Sequence, residues 1–475
     1  MRYHGRINPP LAPTRHHIPV LEIPAMPDHY DALILGAGPA GGGVASRLAK
    51  AGLNVAMTDS GPYGGTCPLT GCNPKKVLLG PADLSQMAAH MKGKGIICKP
   101  SVNWQELMAF KRTFTEPIPE RAFKAYSQEG VTTLTGGGRF TGPDSVEIDG
   151  RELTADNIFI CTGVRARPLS FPGAEHLIDN AGFLDMDELP EHIVLVGGGY
   201  IAMEFAAIAH YCGARVTVLQ RSDAILRGFD NELSGLLMQA MRDAGITLLL
   251  NAPVQFVDKN GGRLRVCYGE EGNESVIADA VVNCAGRVPN IETLNLEAAG
   301  VETGPKGVQV KPTMQSVSNP KVWAVGDVAD TPYELTPTAV LEAEVAVANV
   351  LDPAANRKAD YTGIPTSCFT LPPLAACGLT VAQAAKQGIP HTVITQDLPS
   401  KFPWKRLGEQ YGRSKVILDA NREYILGAHI LGHNAEEMIN LFAMAIRNRI
   451  SLDTLHSTYW AYPTCGYYIQ YLVKE

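Results

Sequence analysis

The chain has 475 residues, 45% hydrophobic and 19% charged, a composition that excludes a disordered or collagen-like protein. Such a length suits about three domains rather than one core. Lysine and arginine total 41 against 48 for aspartate and glutamate, and this net charge of −7 argues against nucleic-acid binding through phosphates. Because no apolar run reaches the roughly 18 residues of a membrane helix and no secretory signal is apparent, we expect a cytoplasmic protein without membrane contact.

Residues 1–29 are predicted to be a proline-rich extension that precedes the folded domains. The stretch contains six prolines and the histidines His4, His16, His17 and His29. Because no cysteine or carboxylate cluster accompanies these histidines, a surface or tethering extension is favoured over a metal-binding arm. No metal site is predicted in the chain.

Residues 30–59 have the pattern of a buried strand, a glycine turn, a helix and a second strand. In the turn GAGPAG, Gly36 permits the sharp bend, Gly38 lets the backbone approach a pyrophosphate, and Gly41 allows close packing of helix on strand. The helix then directs its free N–H groups towards the phosphates, and Asp59 ends the second strand, where a carboxylate binds a ribose hydroxyl. The segment therefore predicts a dinucleotide-binding domain.

Two cysteines, Cys67 and Cys72, follow within GGTCPLTGCNPKK (64–76). A zinc site would require two further ligands at matched spacing, and the neighbouring sequence offers none. Cysteines without a chemical role would not explain the glycines and the proline that surround them. A short disulfide loop exchanges readily when its thiolate is stabilised by nearby lysines, here Lys75 and Lys76. We therefore predict a redox pair.

The strand–turn–helix–strand pattern returns at residues 192–221, which predicts a second nucleotide-binding domain. Its GxGxxA turn contains Gly197 and Gly199, but its second strand ends without an acid. Arg221 and Arg227 stand there instead, and arginines bind a 2′-phosphate that a carboxylate would repel. The pattern favours NADPH over NADH, with solvated surface arginines as the alternative interpretation. Beyond Asp360, short alternating segments and a helical run indicate an antiparallel sheet with helices.

Together these motifs resemble the flavin-dependent pyridine nucleotide–disulfide oxidoreductases, which include glutathione reductase, dihydrolipoamide dehydrogenase and mercuric reductase. The resemblance runs from Tyr30 to the C-terminus and rests on GAGPAG, GGTCPLTGCNPKK, CTG (161–163), GGGYIAMEFA, CAGRVPN (284–290), AVGDV (324–328) and ELTP (334–337). It implies an α/β fold with two Rossmann-like domains, for FAD and NADPH, and a C-terminal α+β dimerisation domain. It also implies a homodimer whose active site is shared between subunits.

The implied domains divide the chain into consecutive segments. They are the first part of the FAD domain at 30–163, the NAD(P)H domain at 164–290, the second part of the FAD domain at 291–358, and the dimerisation domain at 359–475. The NAD(P)H domain is thus expected to be an insertion into the FAD domain.

The resemblance further implies roles for individual residues. Cofactor-binding positions are Gly36, Gly38, Gly41, Asp59, Thr66, Thr162, Gly163, Gly197, Gly199, Tyr200, Arg221, Arg227, Gly286, Asp327 and Thr336. Among these, Tyr200 resembles the tyrosine that covers the flavin until NADPH arrives, and Asp59 stands where relatives usually have glutamate.

The implied catalytic chemistry depends on the two cysteines. Cys67 would attack the substrate, and Cys72 would lie against the flavin as a charge-transfer thiolate. Lys75 and Glu204 would form an ion pair near the flavin N5. Electrons would pass from NADPH through FAD to the Cys67–Cys72 disulfide, and on to a disulfide or thiol-bound metal substrate.

The C-terminal segment departs from the thiol-reducing members of the family. Tyr462 replaces a histidine, and Tyr467 replaces the glutamate that would orient it. A phenol donates a proton but is a poor base at neutral pH, which argues against an NAD-dependent dihydrolipoamide dehydrogenase. Ser46 and Glu344 occupy the positions of two substrate-binding arginines of glutathione reductases, which argues against glutathione disulfide.

Mercuric reductases resemble this chain in having a tyrosine at the position of Tyr462, so a metal-ion reductase is an open alternative. Cys465 could join Cys67 in binding a soft metal, although a small buried packing residue is the favoured interpretation. A flavoprotein sensor without turnover is a further, less favoured alternative.

Overall fold

The computed structural model describes residues 28–98 and 100–474. Most of the proline-rich extension, including His4, His16 and His17, therefore lies outside the described residues. Among the described residues, no helix combines the length and apolar character needed to cross a membrane.

The first unit is built on a seven-stranded sheet. Its five parallel strands lie in the order Thr132–Thr135, Val55–Asp59, His29–Leu35, Arg151–Ile160 and Val322–Ala324. An antiparallel extension adds Ser145–Ile148 and Gly138–Phe140. The helices of these parts of the chain are Pro39–Lys50, Thr66–Thr70, Cys72–His90, Trp104–Thr115, Ile118–Gln128 and Thr336–Leu351. Buried aliphatic side chains fill the central strands, as a sheet covered on both faces requires.

The first glycine turn (residues 36–41) joins the first strand to the helix Pro39–Lys50. Gly36 has φ +112°, and a Cβ there would lie 2.4 Å from the carbonyl oxygen of Cys161. At Gly41 a Cβ would lie 1.8 Å from the carbonyl oxygen of Gly36. The helix therefore approaches the strand more closely than any side chain permits, which is the packing predicted for Gly41.

We expect Gly41→Ala to push this helix away from the strand. Overpacking against backbone costs about 2–3 kcal/mol, and the displaced turn should retain less bound flavin after purification. Gly80→Ala is the matched control, because a Cβ at Gly80 meets no atom within 4 Å and alanine favours a helix by up to about 1 kcal/mol. Denaturant unfolding and the flavin-to-protein absorbance ratio measure both effects; equal flavin content in the two variants would contradict the expectation.

The second unit repeats the parallel arrangement on a smaller scale. Its four parallel strands lie in the order Thr247–Leu249, Arg215–Leu219, His192–Val196 and Ala280–Asn283. An antiparallel sheet of Val254–Asn260, Arg263–Tyr268 and Glu274–Ala278 accompanies them. The helices are Ala174–His176 (3-10), Asn180–Leu184, Tyr200–Cys212 and Asn231–Ala244.

The chain enters and leaves the second unit through two paired strands. Val164–Ala166 is antiparallel to Arg287–Pro289, with Val164 opposite Pro289 and Ala166 opposite Arg287. A short hairpin, Thr303–Gly304 and Gly307–Val308, then precedes the return to the first sheet. This arrangement supports the predicted insertion of one nucleotide-binding unit into another.

The C-terminal unit is an antiparallel sheet packed against helices. Its five strands lie in the order Pro365–Cys368, Leu374–Gly378, Ile425–Leu431, Arg413–Asp419 and His391–Asp397. The helices are Pro353–Ala355 (3-10), Val381–Lys386, Phe402–Lys405, Ala435–Arg447, Leu452–Ser457, Gly466–Tyr468 (3-10) and Ile469–Leu472. Buried residues such as Trp404, Ile430 and Phe442 form its core. The described part of the chain thus has the predicted α/β architecture with an α+β unit at the end.

Candidate active site

A cavity of about 960 Å³ lies beside the first glycine turn. Its volume is at the upper end of the range for small-molecule and cofactor pockets. The residues predicted from sequence that line it are Gly36, Gly38, Asp59, Thr66, Cys67, Cys72, Lys75, Thr162, Gly163, Asp327 and Thr336. The fold thus brings most of the predicted flavin positions and both cysteines to one cavity.

The groups around this cavity fit FAD. A Cβ on Gly65 would lie 2.5 Å from the Cα of Gly38, so two backbones approach each other there as only glycines allow. Asp59 accepts the N–H groups of Ala37 (2.7 Å) and Gly61 (2.8 Å), which fixes its carboxylate beside the turn with lone pairs left for a ribose hydroxyl. The Oγ1 atom of Thr162 is buried without a protein partner, a group that a bound cofactor would satisfy.

The two thiols lie where a short helix is followed by a long one. Cys67 belongs to Thr66–Thr70, and Cys72 is the first residue of Cys72–His90, whose N-terminus favours negative charge. A hydrogen bond from Cys67 lowers the pKa of Cys72 to about 6, with burial opposing and two lysines reinforcing the shift. The same hydrogen bond and burial raise the pKa of Cys67. Cys72 is therefore the more acidic thiol of the pair, and the separate roles of the two cysteines stay predictions.

Thr336 begins the helix Thr336–Leu351 and faces the thiols. Its hydroxyl hydrogen-bonds to the sulfur groups of Cys67 and Cys72 and lowers the pKa of each. The residue predicted to contact the flavin thus also contacts the dithiol.

Glu204 is the centre of a buried ion network. Its side chain is 3% exposed, its Oε2 contacts the ammonium of Lys75, and its Oε1 lies 3.4 Å from Nζ of Lys76. The same Oε1 accepts the backbone N–H of Phe369 at 2.7 Å. Burial raises the pKa of Glu204, but the two lysines more than offset this and hold the pKa below its ordinary value. Burial lowers the pKa of Lys75, and Glu204 reverses this so that the pKa is raised.

Arg287 was not singled out from the sequence, although it follows Gly286 in the CAGRVPN motif. It pairs with Asp327 at 3.0 Å and with Glu334 at 2.7 Å, and it lines the cavity with both acids. Burial raises the pKa of Asp327, and Arg287 opposes the shift. The arginine therefore helps to keep Asp327 charged at the predicted flavin site.

Glu342 is a second residue that sequence reasoning missed. It is fully buried, its Oε2 accepts the N–H of Gly326 at 2.7 Å, and its Oε1 accepts the hydroxyl of Tyr361 at 2.8 Å. This carboxylate fixes the turn that carries Asp327.

The second glycine turn (residues 197–202) has the same geometry as the first. Gly197 has φ +126°, and a Cβ there would lie 2.3 Å from the carbonyl oxygen of Cys284. A Cβ on Gly199 would meet no atom within 4 Å, so space is open in front of the helix Tyr200–Cys212. These features fit a pyridine nucleotide bound at the helix N-terminus.

The two arginines predicted to bind a 2′-phosphate lie exposed beside the second glycine turn. The N–H of Leu226 donates to the carbonyl of Gly198 at 2.9 Å, which places Arg227 next to the turn. Arg227 also pairs with Asp223 at 3.3 Å. Where an acid would bind a ribose, the side chain of Gln220 donates to Ser222 and to the carbonyl of Ala224.

Some predicted residues lie outside the cavity lining. Gly41, Gly197 and Gly286 shape the backbone; Gly286 has φ +107°. The hydroxyl of Tyr200 hydrogen-bonds to Thr366 at 2.8 Å, so its predicted role as a flavin cover stays a prediction.

The C-terminal tyrosines form an exposed aromatic cluster away from the cavity of their own chain. Tyr462 is 68% exposed, and its ring meets that of Tyr467 edge-on at 5.0 Å. The single chain does not bring Tyr462 to Cys67, so its predicted role depends on the partner subunit. Cys465, by contrast, is buried in the C-terminal core, where Asn434 Nδ2 lies 3.6 Å from its sulfur. This burial supports the packing interpretation of Cys465.

Glu344, which stands where glutathione reductases have one of their two substrate-binding arginines, belongs to an ion pair. Glu344 pairs with Arg47 at 2.5 Å, so the positive charge of Arg47 is already compensated. Among the residues that the structure describes, no group of three or more His, Cys, Asp or Glu side chains is placed to hold a metal ion.

Comparisons with known proteins give the same family in both halves of the chain. Residues 30–343 match the model described as pyridine nucleotide-disulphide oxidoreductase, and residues 364–471 match its dimerisation domain. These two matches cover both Rossmann-like units and the C-terminal unit, and the predicted fold class is confirmed.

Individual relatives span nearly the whole chain. A mercuric reductase from Staphylococcus aureus is 30% identical over 92% of this chain and 80% of its own length. A glutathione reductase from Nostoc sp. is 30% identical over 92% of this chain and 97% of its own length. Among solved structures, the Cu(II) complex of the HOCl-induced flavoprotein disulfide reductase RclA from Escherichia coli superposes with a TM-score of 0.84 at 26% identity, covering 94% of this chain and 99% of that one.

Proposed function

Because the chain belongs to the pyridine nucleotide-disulphide oxidoreductase family, we propose that it is an NADPH-dependent flavoenzyme that reduces a small disulfide or a thiol-bound metal ion. The family implies bound FAD and a pyridine nucleotide, and the dimerisation domain indicates a homodimer. We further propose the domain limits 30–163, 164–290, 291–358 and 359–475, with the paired strands at 164–166 and 287–289 as support for the insertion. A dithiol that must cycle suits a reducing compartment such as the cytoplasm.

One observation carries this proposal: Cys67 and Cys72 line the same cavity as the first glycine turn, and the two thiols have opposite pKa shifts. The flavin, when bound, supplies the conversion between nicotinamide and dithiol chemistry. Cys72 keeps its sulfur negative beside the cofactor site, and Lys75 stabilises that charge. Cys67 is the sulfur that attacks the substrate, and Thr336 orients both thiols.

NADPH is proposed over NADH because Arg221 and Arg227 flank the second glycine turn and Gln220 replaces an acid. We expect Arg221→Ala and Arg227→Ala each to raise the KM for NADPH by about 10- to 100-fold, since a charge-assisted hydrogen bond contributes about 1.5–3 kcal/mol. The KM for NADH should not change, and Arg139→Ala, at the exposed residue of the strand Gly138–Phe140 in the first unit, should leave both values unchanged. Equal use of NADH and NADPH by the wild type would refute the assignment.

Two substrate classes follow from the active-site groups. A disulfide suits the attack by Cys67, with Tyr462 of the partner subunit as proton donor to the leaving thiolate. A thiol-bound metal ion is supported by the mercuric reductase relative, by the copper complex of the structural neighbour, and by a tyrosine in place of a basic histidine. Glutathione disulfide is disfavoured because Glu344 adds a carboxylate where the tripeptide carboxylates would bind.

Anaerobic titration with NADPH tests the proposal. The enzyme should develop the long-wavelength absorbance of a thiolate beside oxidised flavin as it takes up the first electron pair. It should then take up a second pair, which makes four electrons per subunit, two more than its flavin holds. Uptake of only two electrons without that absorbance would support a flavoprotein sensor instead. Turnover with low-molecular-weight disulfides, lipoamide, and Hg(II) or Cu(II) thiolates then identifies the substrate class, and fast NAD-linked oxidation of dihydrolipoamide would favour the dehydrogenase alternative.

A further inference from the structure

Lys76 shares the single carboxylate of Glu204 with Lys75. Its Nζ lies 3.4 Å from Oε1 of Glu204 and 3.5 Å from the centroid of the Phe369 ring. The side chain of Lys76 is 31% exposed, whereas that of Glu204 is 3% exposed. Two ammonium groups, one of them partly exposed, therefore meet one buried carboxylate next to the first turn of the helix that carries Cys72.

The charge balance of this network depends on the redox state of the dithiol. In the disulfide state Cys72 is neutral, and two lysines face one carboxylate. In the reduced state the Cys72 thiolate supplies the second negative charge. The titratable or charged groups that face Lys76 are Cys72 and Lys75 on its own helix, Glu204 on Tyr200–Cys212, Glu436 on Ala435–Arg447, and Cys368 on Pro365–Cys368.

Neither of the last two groups takes part in the redox change. Burial raises the pKa of Cys368 well above its ordinary value, so this thiol stays neutral. Burial raises the pKa of Glu436, but no bond to this carboxyl group is made or broken when the dithiol is reduced. The thiolate of Cys72 is therefore the anion that changes between the two redox states.

We infer that Lys76 is a redox-linked protonation site, whose amine binds a proton when the Cys67–Cys72 disulfide is reduced and releases it on reoxidation. This inference rests on the proposed dithiol function. The S–S bond breaks as it accepts two electrons from NADPH; one proton binds to Cys67, Cys72 remains a thiolate, and a second proton binds to Lys76. Oxidation of NADPH releases one of these protons, and solvent supplies the other.

The shift in the pKa of Lys76 has the direction that this inference requires. Burial lowers this pKa below its ordinary value, Glu204 opposes the shift, Lys75 adds to it, and the Cys72 thiolate opposes it. Oxidation to the disulfide removes the thiolate and lowers the pKa further, so the proton leaves together with the electrons. The reduced enzyme then holds two protons with its two electrons, which is the number that a disulfide needs to become two thiols.

The test is a potentiometric titration of the flavin-loaded enzyme between about pH 7 and about pH 9.5, below the ordinary lysine pKa. The midpoint potential of the dithiol is followed through the long-wavelength thiolate–flavin absorbance, and its slope against pH gives the protons bound per electron pair. The variant is Lys76→Arg, because a guanidinium does not titrate in this range. The matched control is Lys94→Arg, at an exposed lysine that donates to the carbonyl of His90.

We expect the number of protons bound per electron pair by the wild type and Lys94→Arg to rise above one, towards two, within this range. Lys76→Arg should bind one throughout, since Cys72 stays ionised above its pKa of about 6. If the wild type binds only one proton per electron pair at every pH, the inference is overturned without any variant. It is also overturned if the wild type and Lys76→Arg bind the same number of protons per electron pair. Absence of the thiolate–flavin absorbance in the wild type would instead reject the proposed function, and this inference with it.

Discussion

Cys67→Ser should lower disulfide turnover at least about a thousandfold, while NADPH still reduces the flavin at its normal rate. The variant loses the sulfur that attacks the substrate, and a serine hydroxyl is a far weaker nucleophile. Cys72 is left without a disulfide partner, and Lys75 still stabilises its charge. We therefore expect long-wavelength absorbance in the variant even before any reductant is added. Stopped-flow absorbance and steady-state turnover measure the two effects separately.

Cys98→Ser is the matched control for this experiment, because Cys98 is an exposed free thiol outside the cavity lining. Its turnover and spectrum should equal those of the wild type. Normal disulfide turnover by Cys67→Ser would contradict the role given to Cys67, and turnover with metal thiolates alone would point to a reaction that does not require attack on sulfur.

Glu204→Gln should destabilise the folded enzyme by about 3 kcal/mol or more. Removal of one partner from a buried ion pair leaves the remaining charge uncompensated, and here two lysines lose their common carboxylate. The Cys72 thiolate should remain but with weaker positioning of Lys75, so the long-wavelength absorbance should shift. Denaturant unfolding of the flavin-loaded enzyme measures the loss of stability.

Glu292→Gln is the control for Glu204→Gln, since Glu292 pairs with Arg165 in an exposed position. An exposed pair contributes about 0–1 kcal/mol, so this variant should unfold almost as the wild type does. Equal losses in the two glutamate variants would show that burial of the Glu204 network has no energetic importance.

The stability due to Glu204 should also depend on pH in a defined direction. Its pKa is held below the ordinary carboxyl value in the folded chain. The stabilisation is therefore complete above about pH 4.3, the ordinary glutamate pKa, and is lost as the pH falls through the lowered value. The difference between the wild type and Glu204→Gln should narrow only in acid.

The sequence allowed the nucleotide-binding turns to be predicted because each is a short glycine motif between a strand and a helix. Of their close backbone contacts, only that of Gly41 with Gly36 lies within a few residues; Gly36 meets the carbonyl of Cys161, and Gly197 meets that of Cys284. The spacing of the glycines between a strand and a helix nevertheless identifies the turns. The redox pair could be predicted in the same way, because Cys67 and Cys72 lie in one short segment with two lysines. Such features need no knowledge of how distant parts of the chain pack.

The ion networks could not be derived in this way. Glu204 reaches Lys75 and Phe369 only after three units pack together, and the sequence contains no spacing rule for such contacts. The Lys75–Glu204 pair was anticipated from family resemblance alone, and the share of Lys76 in it was not. Arg287 was overlooked for the same reason, because its partners Asp327 and Glu334 lie far along the chain.

The paired strands that open and close the inserted unit have a consequence for modularity. Because Val164 lies opposite Pro289, the two ends of the insertion are neighbours, and a short loop could replace the unit without stretching its host. Exchange of the unit between relatives would nevertheless carry one condition. The incoming module must bring a carboxylate to the position of Glu204, or the dithiol helix of the host loses its counter-charge. A part that is topologically separable is thus tied electrostatically to the chemistry of its neighbour.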